Sequence, residues 1–325
     1  MTELLLQDAA HRPVPIIDIA LLRQDDPQGS QTIAQQFRKA CMTTGFFYIA
    51  NHGVDASLRA RLFVEVERFF AQPLVVKERV AIVKGEGQNG YSGIGSQRFD
   101  PAMAADNKES MYIGVEHAAD RSSALAGTPL HGPNRWPDFL PGWHEAVRAY
   151  MAAMEELARL LLDGLALSLD LPRGFFDASM TDDMSALRLL HYPPHPAADP
   201  QREVGIGAHT DWGAVTILAQ DGTGGLEIQL PSGAWVAAPP VPDTFIVNIG
   251  DMMARWTNDL YTSTPHRVLN RSDADRHSAA FFVDPRYDTQ VECFATCCGA
   301  DRPARYSPIT AGEHILEMKR RTYGF

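Results

Sequence analysis

The chain reads as an α+β fold: a largely helical first half precedes a second half of short strands, the pattern of a β-sandwich or barrel with helices packed against it. Two observations predict this. Before residue 170, apolar residues recur at helical spacing in three stretches, and from Leu187 onward short β-branched and aromatic runs alternate with turn residues.

Taken in order, Val14-Pro15-Ile16-Ile17-Asp18 predicts a short strand. A helix is expected from Ser30, because Ile33, Phe37, Ala40 and Cys41 keep helical spacing until Gly45 ends it. Phe46-Phe47-Tyr48-Ile49 is a buried strand. Asp55 caps a second helix with Leu58, Leu62, Val66, Phe69 and Phe70 on its apolar side, and Pro73 stops it. A third helix runs from about Trp143 to Leu169, striped by Val147, Tyr150, Met151, Met154, Leu157, Leu161 and Leu165. Between the second and third helices, residues 84–142 are rich in Gly, Pro and polar side chains and read as a working loop or disorder. Gly90-Tyr91-Ser92-Gly93-Ile94-Gly95 within it lacks the Gly-Lys-Ser/Thr ending of a phosphate loop, which argues against a nucleotide site. Strands follow at 187–192, 204–209, 213–219, 225–229, 234–237, 244–248, 265–270, 277–283 and 290–294, with a hairpin turn at Pro231-Ser232-Gly233. No internal repeat, low-complexity tract or clear linker interrupts the chain, so helices and strands are expected to form one unit.

With 325 residues and 45% hydrophobic composition, the chain can bury a large core. Lys and Arg total 29 against 40 Asp and Glu, a formal charge of −11, which argues against a nucleic-acid footprint and against anionic membranes. A small-molecule substrate is the default partner; oligomeric state is left open. The most apolar stretch, 157–169, is interrupted by Arg159 and Asp163, and Leu4-Leu5-Leu6 is too short for a secretion signal, so a soluble, cytoplasmic protein is expected. Cys293, Cys297 and Cys298 crowd together with only Cys41 elsewhere, which fits reduced thiols better than a disulfide framework.

The informative motif is His209-Thr210-Asp211, the chain's only His-x-Asp. Side chains two apart on a strand share a face, so an imidazole and a carboxylate there aim at a common point. Its context, between Val204-Gly-Ile-Gly and Gly213-Ala-Val-Thr-Ile-Leu, reads as strand, turn and strand. With His266 as third ligand, two imidazoles and one carboxylate leave metal positions open, an arrangement suited to ferrous oxygen chemistry. A structural zinc site needs a fourth protein ligand that the surroundings do not offer.

With Arg276-His277-Ser278 ten to twelve positions after His266, the chain resembles the Fe(II)/2-oxoglutarate-dependent dioxygenase superfamily, specifically its isopenicillin N synthase-like branch. The resemblance spans nearly the whole chain. It rests on Val14-Pro15-Ile16-Ile17-Asp18, Gly45-Phe46-Phe47-Tyr48-Ile49-Ala50-Asn51-His52-Gly53-Val54, Lys77, Leu187-Arg188-Leu189-Leu190-His191-Tyr192-Pro193-Pro194, Gly207-Ala208-His209-Thr210-Asp211, Gly225-Leu226, Asn248-Ile249-Gly250-Asp251, Thr257-Asn258-Asp259, Pro265-His266-Arg267-Val268 and Arg276-x-Ser278. It implies a double-stranded β-helix, or jelly roll, with the metal in its open end: a mostly helical region over 1–180 packs on a core with a C-terminal helix over 181–325, the two forming one compact unit.

The same resemblance assigns Fe(2+) to His209, Asp211 and His266, and the distal carboxylate of 2-oxoglutarate to Arg276 and Ser278 with Tyr192 as a third donor; O2 is the other co-substrate. A guanidinium fork and hydroxyls suit a carboxylate held in a partly dry barrel. Many relatives carry Asn-Tyr-Tyr where this chain has Leu190-His191-Tyr192, so one donor is either missing or replaced by His191. Retention of Asp211 places hydroxylation, desaturation or ring closure ahead of halogenation. The implied reaction oxidises a C–H bond of a small metabolite as 2-oxoglutarate becomes succinate and CO2. Two alternatives remain: an isopenicillin N synthase-like, 2-oxo-acid-oxidising or ethylene-forming enzyme with the same iron site, and a jelly-roll binding protein without turnover. Substrate contacts are expected from the 84–112 loop, with Tyr91, Arg98 and Tyr112 its best candidates, from Trp212, from Phe281 and Phe282, and from residues 312–325. His52 and His314 are expected to be structural.

Overall fold

The computed structural model describes residues 13–24, 26–83, 87–98, 104–116, 127–195 and 204–323. Helix α1 (Pro27–Thr43) begins three residues before Ser30, because the Asp26 carboxylate accepts hydrogen bonds from the amides of Gln28 (3.1 Å) and Gly29 (3.0 Å) and Pro27 follows it. Helix α2 (Ala56–Phe70) starts where Asp55 accepts from the Ser57 amide at 2.7 Å. Helix α3 (Trp143–Ser168) lies against both, with Phe37 of α1 pressed against Gly164, where any side chain would meet the ring.

These helices cover one face of an eight-stranded sheet. Its strands are β1 (Ile16–Asp18), β2 (Phe46–Ala50), β3 (Gly90–Ser92), β4 (Glu109–Gly114), β5 (Ala186–Tyr192), β7 (Val215–Gln220), β10 (Phe245–Ile249) and β12 (Arg276–Val283), arranged β1-β2-β10-β7-β12-β5-β4-β3. The second sheet runs β6-β11-β8-β9, from β6 (Ile206–His209), β8 (Leu226–Gln229), β9 (Trp235–Ala237) and β11 (His266–Val268). Together they form the expected jelly roll. Strands β13 (Gln290–Val291) and β14 (Ile309–Thr310) make a small ribbon. In the second half of the chain, helix α4 (Asp251–Trp256) follows β10, and α5 (Ala311–Tyr323) ends the described residues.

Period-two alternation divides the large sheet's side chains between two environments. Phe47, Ile49, Leu187, Leu189, Ile217, Val247, Ala279 and Phe281 join the helices in the main core. Phe46, Tyr48, Leu190, Tyr192, Ile246 and Ala280 point the other way, into the space between the sheets, with Ile206, Leu226 and Ile228 from the smaller sheet.

The 84–142 stretch is not simply loop. It contains β3 and β4, which extend the large sheet through Met111↔Leu189 and neighbouring pairs. Glu109-Ser-Met-Tyr-Ile-Gly does alternate, but its inward members are polar or absent because they face a cavity, so it does not read as an amphipathic strand. Strands before residue 180 therefore supply four of the eight members of this sheet. The four cysteines are free thiols, and no helix among the described residues is long and apolar enough to cross a membrane.

Phe37 is fully buried, its ring is tilted against that of Phe47 with centroids 4.9 Å apart, and it fits the Gly164 notch, so it ties α1 to both α3 and the sheet. Phe37→Ala is expected to cost about 3–5 kcal/mol, read as a lower urea midpoint at unchanged slope.

Candidate iron and 2-oxoglutarate site

Strand β6 ends at His209 and antiparallel β11 begins at His266, which are Cα partners across the smaller sheet. Their rings lie 4.3 Å apart, and the Nε2 atoms of His209 and His266 stand 3.8 and 3.7 Å from Oδ1 of Asp211. One ligand atom from each residue fits within 4.8 Å of the others, an arrangement among the described residues that could hold a metal ion.

Backbone carbonyls orient the two imidazoles. Nδ1 of His209 is 2.7 Å from the Gly207 carbonyl, and Nδ1 of His266 is 3.1 Å from that of Thr264. Donation at Nδ1 leaves the Nε2 lone pairs facing Asp211. Asp211 is divided likewise: Oδ2 accepts from the Thr216 hydroxyl (2.6 Å) and the Asn248 amide (2.7 Å), while Oδ1 faces the histidines. Burial alone would raise this carboxyl, but His266, His209 and those hydrogen bonds hold it below its ordinary value. Burial and then the His266 charge push His209 down to about 3, so its imidazole is neutral at physiological pH. Gly250 lets the two loops close, because a side chain there would strike the Gly213 carbonyl. The Asp251 amide then bonds the Asp211 carbonyl at 2.8 Å. Two imidazoles and an ionised carboxylate on one side of a common point fit a ferrous ion with vacant corners.

Farther between the sheets lies Arg276, only 1% exposed. Its Nε donates to the Gly224 carbonyl, Nη1 reaches Ser278 Oγ at 3.3 Å, and Nη2 reaches Gln220 Oε1 at 3.2 Å. The guanidinium sits 4.7 Å from the centre of the Tyr192 ring, which faces it across the β5–β12 pair. Gly225 adopts φ +90° next to the Leu269 carbonyl, so the turn carrying Gly224 passes close over the guanidinium.

The three-residue cluster and this arginine line one cavity of about 1580 Å³. Tyr112, Trp212 and Phe282 line it as well, with the Tyr112 and Phe282 rings stacked at 6.2 Å. Tyr91 does not reach the cavity: its position in β3 points the ring into the main core, where its hydroxyl bonds Glu109 at 2.5 Å. Arg98 is exposed, and its neighbour Gln97 takes the wall position instead. Phe281 faces the helices. From the expected 312–325 stretch, Ile315, Leu316, Lys319 and Arg320 of α5 contribute wall, while residues 324–325 lie outside the described chain.

Sequence reasoning missed Arg188, Asn248, Thr216 and Asp284. Their signal was parity: Arg188, Thr216 and Asn248 fall on the inward register of their strands, and Asp284 continues that register just past the end of β12. His314 ties α5 to the site, with Nε2 3.1 Å from the Trp212 carbonyl.

Parity also decides between the two readings of His191. It projects away from the cavity, with Nδ1 2.8 Å from Glu109 and Nε2 2.7 Å from Asp275, stacked 4.9 Å from His277. Apolar Leu190 occupies the cavity-facing slot beside Tyr192, so the donor is missing and not replaced. Burial pulls the His191 pKa down, but the hydrogen bonds to Glu109 and Asp275 outweigh it and the net shift is upward.

Residues 184–285 match the 2OG-Fe(II) oxygenase superfamily, and residues 14–139 match the family described as the N-terminal region of non-haem dioxygenases in morphine synthesis. The chain belongs to the Fe(II)/2-oxoglutarate-dependent dioxygenase superfamily and is a 2-oxoglutarate-Fe(II) oxidoreductase. It is 36% identical over 315 residues to a 2-oxoglutarate-Fe(II) type oxidoreductase of Aspergillus fumigatus, covering 96% of this chain and 94% of that one. It is 37% identical over 317 residues to the oxidoreductase hxnY of Emericella nidulans, covering 95% and 90%. Among solved structures, a full-length Neurospora crassa protein in complex with alpha-KG and thymine superimposes with a TM-score of 0.83 at 29% identity, covering 95% and 96% of the two chains.

Two outcomes are expected here. Asn248→Ala should weaken Fe(II) binding by about 10–100-fold in calorimetry, because the carboxylate loses a partner that orients it. His191→Gln should flatten part of the stability–pH curve: with its folded pKa raised, His191 stabilises the fold fully below about pH 6.5 and loses that contribution as pH rises through the folded value. Urea melts across about pH 6 to 9 check the sign.

Proposed function

We propose that His209, Asp211 and His266 hold the ferrous ion, and that Arg276, Ser278 and Tyr192 hold the distal carboxylate of 2-oxoglutarate, in an oxygenase acting on a small molecule. The observation that carries this is the alignment of the two groups along one cavity, a three-ligand cluster followed by a buried guanidinium beside a hydroxyl. Iron supplies the oxygen-activating chemistry when bound, with decarboxylation of 2-oxoglutarate to succinate and CO2 coupled to oxidation of a substrate C–H bond.

The protein's own share is placement and exclusion. Arg276 is held on three sides by Gly224, Gln220 and Ser278, so little ordering remains when a carboxylate arrives. Phe46 packs edge-on to His266 at 5.3 Å and, with Leu218 and Leu226, keeps the metal's surroundings apolar. The open side faces Trp212, Tyr112 and Phe282, which leaves the substrate in the outer part of the cavity. The Neurospora crassa relative in complex with alpha-KG and thymine supports a cavity shared by co-substrate and a small organic molecule.

Anaerobic addition of Fe(II) and 2-oxoglutarate should produce a visible charge-transfer band. Its absence with iron bound would favour an isopenicillin N synthase-like use of the arginine, and failure to form succinate under O2 would favour a binding protein. Arg276→Leu should raise the half-saturating 2-oxoglutarate concentration by about 10–1000-fold and leave Fe(II) stoichiometry intact. Loss of iron in that variant would assign the arginine a structural role.

A further inference from the structure

Strand β12 turns alternate residues toward the cavity: Arg276, Ser278, Ala280, Phe282 and, just past its end, Asp284. The first two belong to the proposed co-substrate end. Ser278 and Phe282 are separated by about 13 Å of extended chain, so Phe282 and Asp284 stand at the opposite end.

Asp284 is 7% exposed, lines the cavity, and its Oδ1 has no hydrogen-bond partner. Oδ1 is packed against Gly213, so the carboxyl meets the cavity through its small exposed edge, where a ligand that donates a hydrogen bond would offset the cost of burying it. Gly213 stands two residues beyond Asp211, and any side chain there would collide with the Asp284 carboxylate. From α5, Lys319 lines the same cavity and feels the Asp284 charge across it. Trp212 and Phe282 add aromatic wall beside these two polar groups.

We propose that this end of the cavity recognises a flat, neutral ring whose edge carries an N–H next to a carbonyl, as in a cyclic amide. The N–H donates to the Asp284 carboxyl, Lys319 donates to the carbonyl, and the ring faces meet Trp212 and Phe282. Other chemistries use the site less well. An ammonium meets Lys319, a carboxylate meets Asp284, and a hydrocarbon leaves both polar groups unmatched. Burial, reinforced by Asp211 and Asp183, raises Asp284 to about 7, while burial lowers Lys319 to about 7. One acidic and one basic group lining the same space sum to no net charge when both are ionised, which agrees with a neutral ligand. Arg188 lines the same cavity, its Nη2 held by Gln97 Oε1 at 2.9 Å and Ser110 Oγ at 3.2 Å.

The inference rests on the iron and 2-oxoglutarate reading, and one sample tests both. Anaerobic enzyme loaded with Fe(II) and 2-oxoglutarate is titrated with 2-quinolone and with 1-methyl-2-quinolone, which lacks the N–H, while the charge-transfer band is followed. Wild type should bind the parent about tenfold more tightly than the methylated ring, and Asp284→Ala should erase that preference. Lys319→Met should weaken the parent about tenfold with 2-oxoglutarate affinity unchanged, which keeps the test informative if Asp284→Ala does not fold. Equal binding of the two rings, no binding of either, tighter binding of benzoate or benzylamine, or a preference that survives in both variants would each overturn the inference. A missing band would instead sink the co-substrate reading.

Discussion

The site depends on a carboxylate whose two oxygens have different duties. Thr216 and Asn248 take Oδ2 of Asp211 and fix its plane, leaving Oδ1 toward the Nε2 atoms of His209 and His266. Those two partners come from adjacent strands β7 and β10 of the large sheet, while both imidazoles come from the smaller one. The ligand cluster thus depends on the two sheets keeping their separation. The pressure that keeps it is the main core on the other face of the large sheet, where α1 and α3 pack Phe37, Phe47 and their neighbours.

The same alternation that buries one face of each strand supplies the chemistry on the other. On β12, Ala279 and Phe281 are core while Arg276, Ser278 and Phe282 are cavity wall. On β5, Leu187 and Leu189 are core while Arg188 and Tyr192 are wall. A one-residue slip in either register would turn an arginine toward the helices and core residues such as Leu189 or Phe281 toward the cavity.

Much of this was legible beforehand because it is local. His209-Thr210-Asp211 needs only strand parity to aim two ligands at one point, and Asp55 needs only its own neighbours to start α2. Where the sequence was silent, the information lay in long-range pairing. The outer role of His191 follows from its bonds to Glu109 and Asp275, each more than eighty residues away. Strands β3 and β4 exist because β5 offers an edge to them, not because their own pattern is strongly amphipathic. Tyr91 was misplaced for that reason: without knowledge of β3, nothing indicated which face its ring would take.

The wall opposite the metal is assembled from separate stretches of chain: the β3–β4 segment, the loop of Trp212, the end of β12 and helix α5. Of these, the β3–β4 segment and helix α5 supply no ligand to the three-residue cluster and no part of the guanidinium's setting, whereas the Trp212 loop also carries Asp211 and β12 also carries Arg276. Drift in the β3–β4 segment or α5 therefore reshapes what the chamber admits without disturbing the cluster. A scaffold partitioned in this way can diversify its chemistry of recognition piecemeal, one panel at a time, while its engine stays the same.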